Sequence, residues 1–359
     1  MTRIPAIYEL PPAVPAIAGA VVGHSALRHA PTGALGWRVA YATHDRQGGD
    51  WTIATASVFA PDADAHDRPV IVYGHPTSGI DRSCAPSLQG HPGRGLPGLQ
   101  RMLDDGWVYV APDYPGLGGP GLHPYLHGHA TGWSILDAVT ATRSLPTGAG
   151  AETALWGWSQ GAHAMLWAAH FDATHPDPQR DVIGVAAGAP PADLPRVVAA
   201  TLGTTGGRFL MPFASVAWSR LYDIPIEDIV HEQYVQQVRR LASLRLVGAQ
   251  AMRAHHAAQK LPVNFLAVNP LTTDPWRQVL RANVPPTEIA APLFIAQGDE
   301  DEIVPAHVTE ETVKAYRKAG ADVETLWVRG RGHVAGELAS ARTTLAWLSE
   351  RYEGVRLAS

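Results

Sequence analysis

The chain opens its regular patterning at residues 36–60, "GWRVAYATHDRQGGDWTIATASVFA". This reads as two strands around a Gly-Gly turn. Short apolar runs follow, each closed by Gly or Pro. They are "RPVIVYGHPTSG" (68–79), "WVYVAPDYPGLG" (107–118), "TALWGW" (153–158) and "DVIGVAAGAPPADL" (181–194). Runs of that length with no polar alternation suit parallel strands buried on both faces. Between them lie stretches with helical spacing at 96–107, 132–145 and 160–171. Residues 195–290 change texture: they are mostly helical and apolar, with no obvious buried strand until "LAVNP". The alternation resumes with a strand in 291–305, a helix near 306–319, a strand in 322–333 and a last helix near 335–352. Strands alternating with helices imply a doubly wound, mostly parallel α/β sheet with right-handed crossovers. The expected organisation is a core in 1–194 and 291–359, interrupted by a helical cap at 195–290. The first thirty residues, broken by Pro5, Pro11, Pro12 and Pro15, read as an arm packed on the body rather than a signal peptide.

Composition narrows the function. Of 359 residues, 46% are hydrophobic and 17% charged, which supports a large folded core. The net charge of −5 comes with no basic stripe, so nucleic acid is not an expected partner. No apolar run is long enough to span a membrane. The single cysteine, Cys84, rules out an internal disulfide. With no clear leader, this favours a cytoplasmic location over secretion.

The chemistry centres on Gly157-Trp158-Ser159-Gln160-Gly161, a G-x-S-x-G pentapeptide. Alone it decides little; its flanks decide more. A nucleophile elbow needs a strand, a tight turn carrying the serine, and a helix. "TALWGW" and "QGAHAMLWAAHF" supply the strand and the helix. A serine hydroxyl attacks an ester only with a base beside it and a carboxylate to orient that base. In this topology the chain order is serine, acid, histidine. The acid falls in "QGDEDEIVP", where Asp301 is preferred and Asp299 is second. The base is His333, in the loop that ends "VRGRGH". His163 and His170, on the helix after Ser159, are expected to be packing residues. The oxyanion donors are the backbone N–H of Gln160 and, from the loop "GHPTSG", Thr77, because Pro76 has no N–H to give. Tyr114, Tyr125, Trp158, His127 and His129 are candidates for contact with substrate. The apolar stretch 207–230 could line an acyl pocket, but most of it reads as the cap's own core.

Four stretches carry a resemblance. They are "YGHPTSGIDRSCAPS" (73–87), "APDYPGLGGPGLHPYLHGHATGWSILDAV" (111–139), "WGWSQGAHAMLWAA" (156–169) and "VAAGAPPADLP" (185–195). Together they resemble the secretory-lipase family of α/β-hydrolases, the lipase A type, over nearly the whole chain. The resemblance implies an α/β-hydrolase core, a helical cap inserted after the sixth strand, and hydrolysis of carboxylic esters with lipophilic parts. It places a triad on Ser159, Asp301 and His333 and oxyanion roles on Thr77 and Gln160. No metal or organic cofactor is implied. The chain departs from the family pattern at Pro76 and at Ala162, where a second glycine is expected. Acyl transfer to an alcohol, or peptide cleavage on the same fold, would use the same triad; a non-catalytic binding module would normally lack a triad member.

Overall fold

The computed structural model describes residues 4–9, 11, 13–45, 50–246 and 249–358. The expected turn at Gly48-Gly49 lies outside the described residues. Nine strands form one sheet: β1 (Val21–Ala26), β2 (Ala34–His44), β3 (Trp51–Pro61), β4 (Arg68–Gly74), β5 (Val108–Pro112), β6 (Ala149–Trp158), β7 (Asp181–Gly188), β8 (Leu293–Gly298) and β9 (Val323–Val328). Their order is β1-β2-β3-β5-β4-β6-β7-β8-β9. Pairings from β1 through β3 to β5 are antiparallel, and all the others are parallel. The chain order reverses at β4, with β5 on one side and β6 on the other. In open α/β sheets the carboxyl ends beside such a reversal form the ligand crevice.

β4, β5 and β8 are buried along their whole length, as continuous apolar runs require when helices cover both faces. Alternate residues supply two cores. On one face Val70, Val72, Val110 and Leu155 pack with α2 (Gly128–Thr142), α3 (Gln160–Thr174) and α9 (Ala306–Lys318). On the other, Ile71, Tyr109 and Trp156 pack with α1 (Leu99–Asp104) and α10 (His333–Ala358). β1 was not anticipated from the sequence. It is an edge strand, half exposed and interrupted by Gly23, His24 and Ser25, so it carries no apolar run to recognise.

Between β7 and β8 the described residues hold α4 (Leu194–Thr201), α5 (Thr205–Leu221), α6 (Glu232–Ala242), α7 (Ala249–Lys260) and α8 (Trp276–Ala282). The "LAVNP" stretch forms only a single bridge, Val230 to Leu266. This segment buries its own apolar cluster around Phe213, Trp218, Val238 and Trp276, joined by Tyr125 and Leu126 from the loop before α2.

Two carboxyls are sealed beneath the sheet. Thr43 Oγ1 donates to Asp137 at 2.6 Å, and Thr55 Oγ1 donates to Asp113 at 2.6 Å. Burial is the main cause that raises their pKa values, to about 7 for Asp137 and about 6 for Asp113. The folded state therefore holds protons that an unfolded carboxyl, with an ordinary pKa near 4, releases earlier. Stability from these protonated forms is full below about pH 4 and is lost as pH rises through about 6 to 7. Asp137→Asn keeps an acceptor for Thr43 without a charge. It is expected to raise Tm at pH 8 by about 2 °C or more, with the gain growing between pH 5 and 8. A gain independent of pH would show that Asp137 is not the group that titrates.

Candidate active site

β6 ends at Trp158 and α3 begins at Gln160, so Ser159 alone makes the turn. Its backbone sits at φ 55°, ψ −118°, a strained conformation for a residue with a Cβ. Both sides hold it there. Ser159 N–H donates to Gly188 O at 2.8 Å, and Ser159 O accepts from His163 N–H at 3.1 Å. The flanking glycines are required by contact. A Cβ on Gly161 would lie 1.9 Å from Gly74 O, and one on Gly157 would lie 2.4 Å from the carbonyl carbon of Gly161. The first turn of an α-helix carries N–H groups without intrahelical partners, and α3 begins directly after Ser159.

The loop after β8 presents Asp301. Its Oδ1 accepts from Ile303 N–H at 2.9 Å and Val304 N–H at 2.8 Å. Its Oδ2 accepts from Gln297 Nε2 at 3.1 Å and from His333 Nδ1 at 2.7 Å. His333 is the first residue of α10, and its ring lies 6.1 Å from that of Trp158. With Nδ1–H committed to the carboxylate, neutral His333 keeps Nε2 free as a base. Asp299, the second candidate acid, is exposed and accepts from Gly330 N–H at 2.7 Å, so it ties two loops together instead. His163 is buried with Nε2 at 2.7 Å from Asn283 O, and burial lowers its pKa to about 4. His170 bonds Glu288 O through Nδ1 at 3.0 Å.

Ser159 lies where two cavities meet. A cleft of about 290 Å³ is lined by Thr77, Trp158, Ser159, His333 and Glu337, among others. A narrow chamber of about 30 Å³ runs from Ser159 and Gln160 between α4 and α5, against Val198, Met211 and Trp218. The loop after β4 borders the cleft with Pro76 and Thr77. His75 Nδ1 donates to Pro76 O at 2.7 Å, Tyr114 OH donates to His75 O at 3.2 Å, and Thr77 Oγ1 shares a 3.0 Å hydrogen bond with Tyr125 OH.

The expected substrate contacts separate on inspection. Tyr125 borders the chamber and Trp158 the cleft. Tyr114 is corrected: it has no exposed surface, and its hydroxyl is spent on the His75 carbonyl, so it supports the loop from beneath. His127 caps α2, its Nδ1 accepting from Ala130 N–H at 3.2 Å. His129 packs on Trp133 and Phe171, away from the cleft. Sequence reading missed two residues. Buried His123 meets the Gln160 side chain, Nε2 to Nε2, at 2.8 Å. Glu337, one turn after His333, accepts from Tyr73 OH, and burial raises its pKa. His123 falls inside the family-like stretch 111–139 with no role attached to it; nothing in the pattern marked Glu337.

The sheet order, with a serine on a strained strand-to-helix turn at its reversal point, defines an α/β-hydrolase. Within that class the chain belongs to the secretory lipase family, which it matches over residues 96–219 and 274–359. It is 24% identical over 324 residues to a protein described as a probable inactive lipase of Mycobacterium tuberculosis, covering 84% of this chain and 70% of that one. It is 21% identical over 338 residues to a secreted triacylglycerol lipase of Malassezia globosa, covering 89% and 73%. Among solved structures, lipase A of Candida antarctica superposes with a TM-score of 0.75 at 18% identity, covering 94% of this chain and 83% of that one. The rice cell wall degrading esterase of Xanthomonas oryzae superposes at 0.76 and 18%, covering 91% and 95%. The class is therefore that of a carboxylic ester hydrolase.

These comparisons overturn the expected cytoplasmic location. The family is described as secretory and several relatives as secreted, which points to secretion. A single cysteine excludes an internal disulfide but carries no information about compartment, because a core this large needs no such staple.

Two changes test the geometry. Gly161→Ala forces a side chain into the β4 backbone and is expected to abolish soluble folded protein, read by circular dichroism. Tyr125→Phe removes the partner of Thr77 and is expected to lower kcat about threefold to tenfold with a smaller change in KM. An unchanged kcat would show that the Thr77–Tyr125 hydrogen bond does not hold the loop for turnover.

Proposed function

We propose that Ser159, His333 and Asp301 form the catalytic triad of an esterase or lipase acting on esters with lipophilic parts. The observation that carries this reading is the 2.7 Å His333–Asp301 hydrogen bond in the cleft that also holds the strained Ser159. His333 Nε2 removes the proton from Ser159 as its oxygen attacks the ester carbonyl. Asp301 holds the imidazole and stabilises its cation. The backbone N–H groups of Gln160 and Thr77 receive the developing oxyanion. The protonated imidazole then gives its proton to the departing alcohol. Water activated by the same base hydrolyses the acyl-enzyme.

The helical segment between β7 and β8 acts in this reading as a cap over the sheet ends. Support comes from the apolar walls that α4 and α5 give to the chamber beside Ser159. The acyl chain enters that chamber and the alcohol leaves through the wider cleft.

Hydrolysis of p-nitrophenyl esters from two to sixteen carbons tests both parts. Ser159→Ala and His333→Ala are expected to lower kcat by about a thousandfold or more, and Asp301→Asn by a comparable factor. Short acyl chains are expected to be preferred, given the narrow chamber. Equal activity in Ser159→Ala and wild type would remove Ser159 as nucleophile.

A further inference from the structure

His333 must carry a positive charge in the proposed chemistry, and its place in the fold works against that charge. It is the first residue of α10, and the positive end of a helix dipole disfavours a cation. Asp301 offsets this at Nδ1. A second carboxylate stands nearby. Glu337 lies four residues further along α10, so its side chain falls on the same helix face as His333, and both border the cleft that holds Ser159.

Glu337 is pinned from the sheet. Tyr73, the residue of β4 before Gly74, donates its hydroxyl to Glu337 Oε1. The Tyr73 ring is buried against Trp156, with centroids 5.1 Å apart at 65°, which holds the donor in place. Burial, and then the Glu337 charge, push the Tyr73 pKa well above its usual value, so it remains a donor at every working pH. Burial raises the Glu337 pKa, while the Tyr73 hydrogen bond and the charge of His333 lower it. That last attraction is mutual: the carboxylate favours the charged imidazole as much as the charged imidazole favours the carboxylate. The other ionisable groups around the pair are Asp301 and Glu302 from the loop after β8, His255 from α7 and Tyr109 from β5. No lysine or arginine borders the cleft among the described residues.

We propose that Glu337 is a positioning residue that acts through His333: its carboxylate stabilises the imidazolium that forms as Ser159 attacks. The inference rests on Ser159 as nucleophile and on His333 as base. In that step the Ser159 oxygen bonds the ester carbonyl carbon, the carbonyl π electrons move to the carbonyl oxygen, and the serine proton passes to His333 Nε2. Glu337 takes no proton and needs no contact with substrate. Two carboxylates then act on one developing cation from different elements, Asp301 through a hydrogen bond and Glu337 through space.

The test is the acid limb of the pH profile of kcat/KM for p-nitrophenyl butyrate, read at the isosbestic wavelength of p-nitrophenol. Glu337→Gln keeps an acceptor for Tyr73 and removes the charge. A less favoured imidazolium loses its proton more readily, so the midpoint of that limb is expected to fall by about 0.5 to 1 pH unit. On the plateau above it, kcat is expected to fall about threefold to tenfold, with a smaller change in KM. Glu337→Asp keeps the charge and is expected to recover most of the wild-type midpoint. Should Glu337→Gln fail to fold, the double change Tyr73→Phe with Glu337→Leu removes donor and acceptor together and is expected to give the same shift. A midpoint that stays at the wild-type value, whatever happens to the rate, is what a merely structural side chain would give and would overturn the inference. So would a shift in Glu337→Asp as large as that in Glu337→Gln. Full activity in His333→Ala, or none in wild type, would overturn both this inference and the triad it rests on.

Discussion

The site depends on a contact between two backbones. Gly161, at the start of α3, lies so close to Gly74, at the end of β4, that no side chain fits between them. This approach lets α3 begin directly against the sheet and confines the strand-to-helix turn to one residue. Ser159 is left in a conformation it would not choose alone, with a hydrogen bond on each side to keep it there. The same contact brings the Thr77 loop, which follows Gly74, alongside the helix start. The proposed nucleophile and both proposed oxyanion donors are thus set by one packing constraint.

The proposed acid and base, Asp301 and His333, are held independently of that contact. Asp301 is fixed by two backbone N–H groups and the Gln297 amide before His333 adds its bond. Its orientation comes from its own loop. Thr309 in turn anchors Gln297 from α9 through a 2.6 Å hydrogen bond. A side chain whose acceptor positions are filled by its own neighbourhood has few rotamers to lose when the imidazole moves through the reaction.

Much of this architecture is legible in the chain, for identifiable reasons. Buried parallel strands leave continuous apolar runs closed by Gly or Pro, so β4 through β8 stand out. The elbow is visible because its glycines are required by contact, and contact restricts composition. Chain order and loop position single out Asp301 and His333, and the structure brings the two within 2.7 Å of each other. What escaped notice has weaker signatures. β1 is a half-exposed edge. Tyr114 occupies a loop next to the site, but its ring is fully buried with its hydroxyl on His75 O, which sequence position does not encode. His123 and Glu337 act through partners 37 and 264 residues away, and pairings at such separations leave no local pattern.

Gln160 has two jobs that belong to different parts of one residue. In the proposed mechanism its main chain receives the oxyanion, while its side chain is tied to buried His123 at 2.8 Å. A change in that side chain disturbs the main chain it is attached to, so this position couples buried packing to the proposed chemistry. The chamber's helical wall is built from α4 and α5, which carry none of the three proposed catalytic residues. Drift in substrate taste is therefore channelled into that helical wall, where side chains can change size while the chemistry below stays intact.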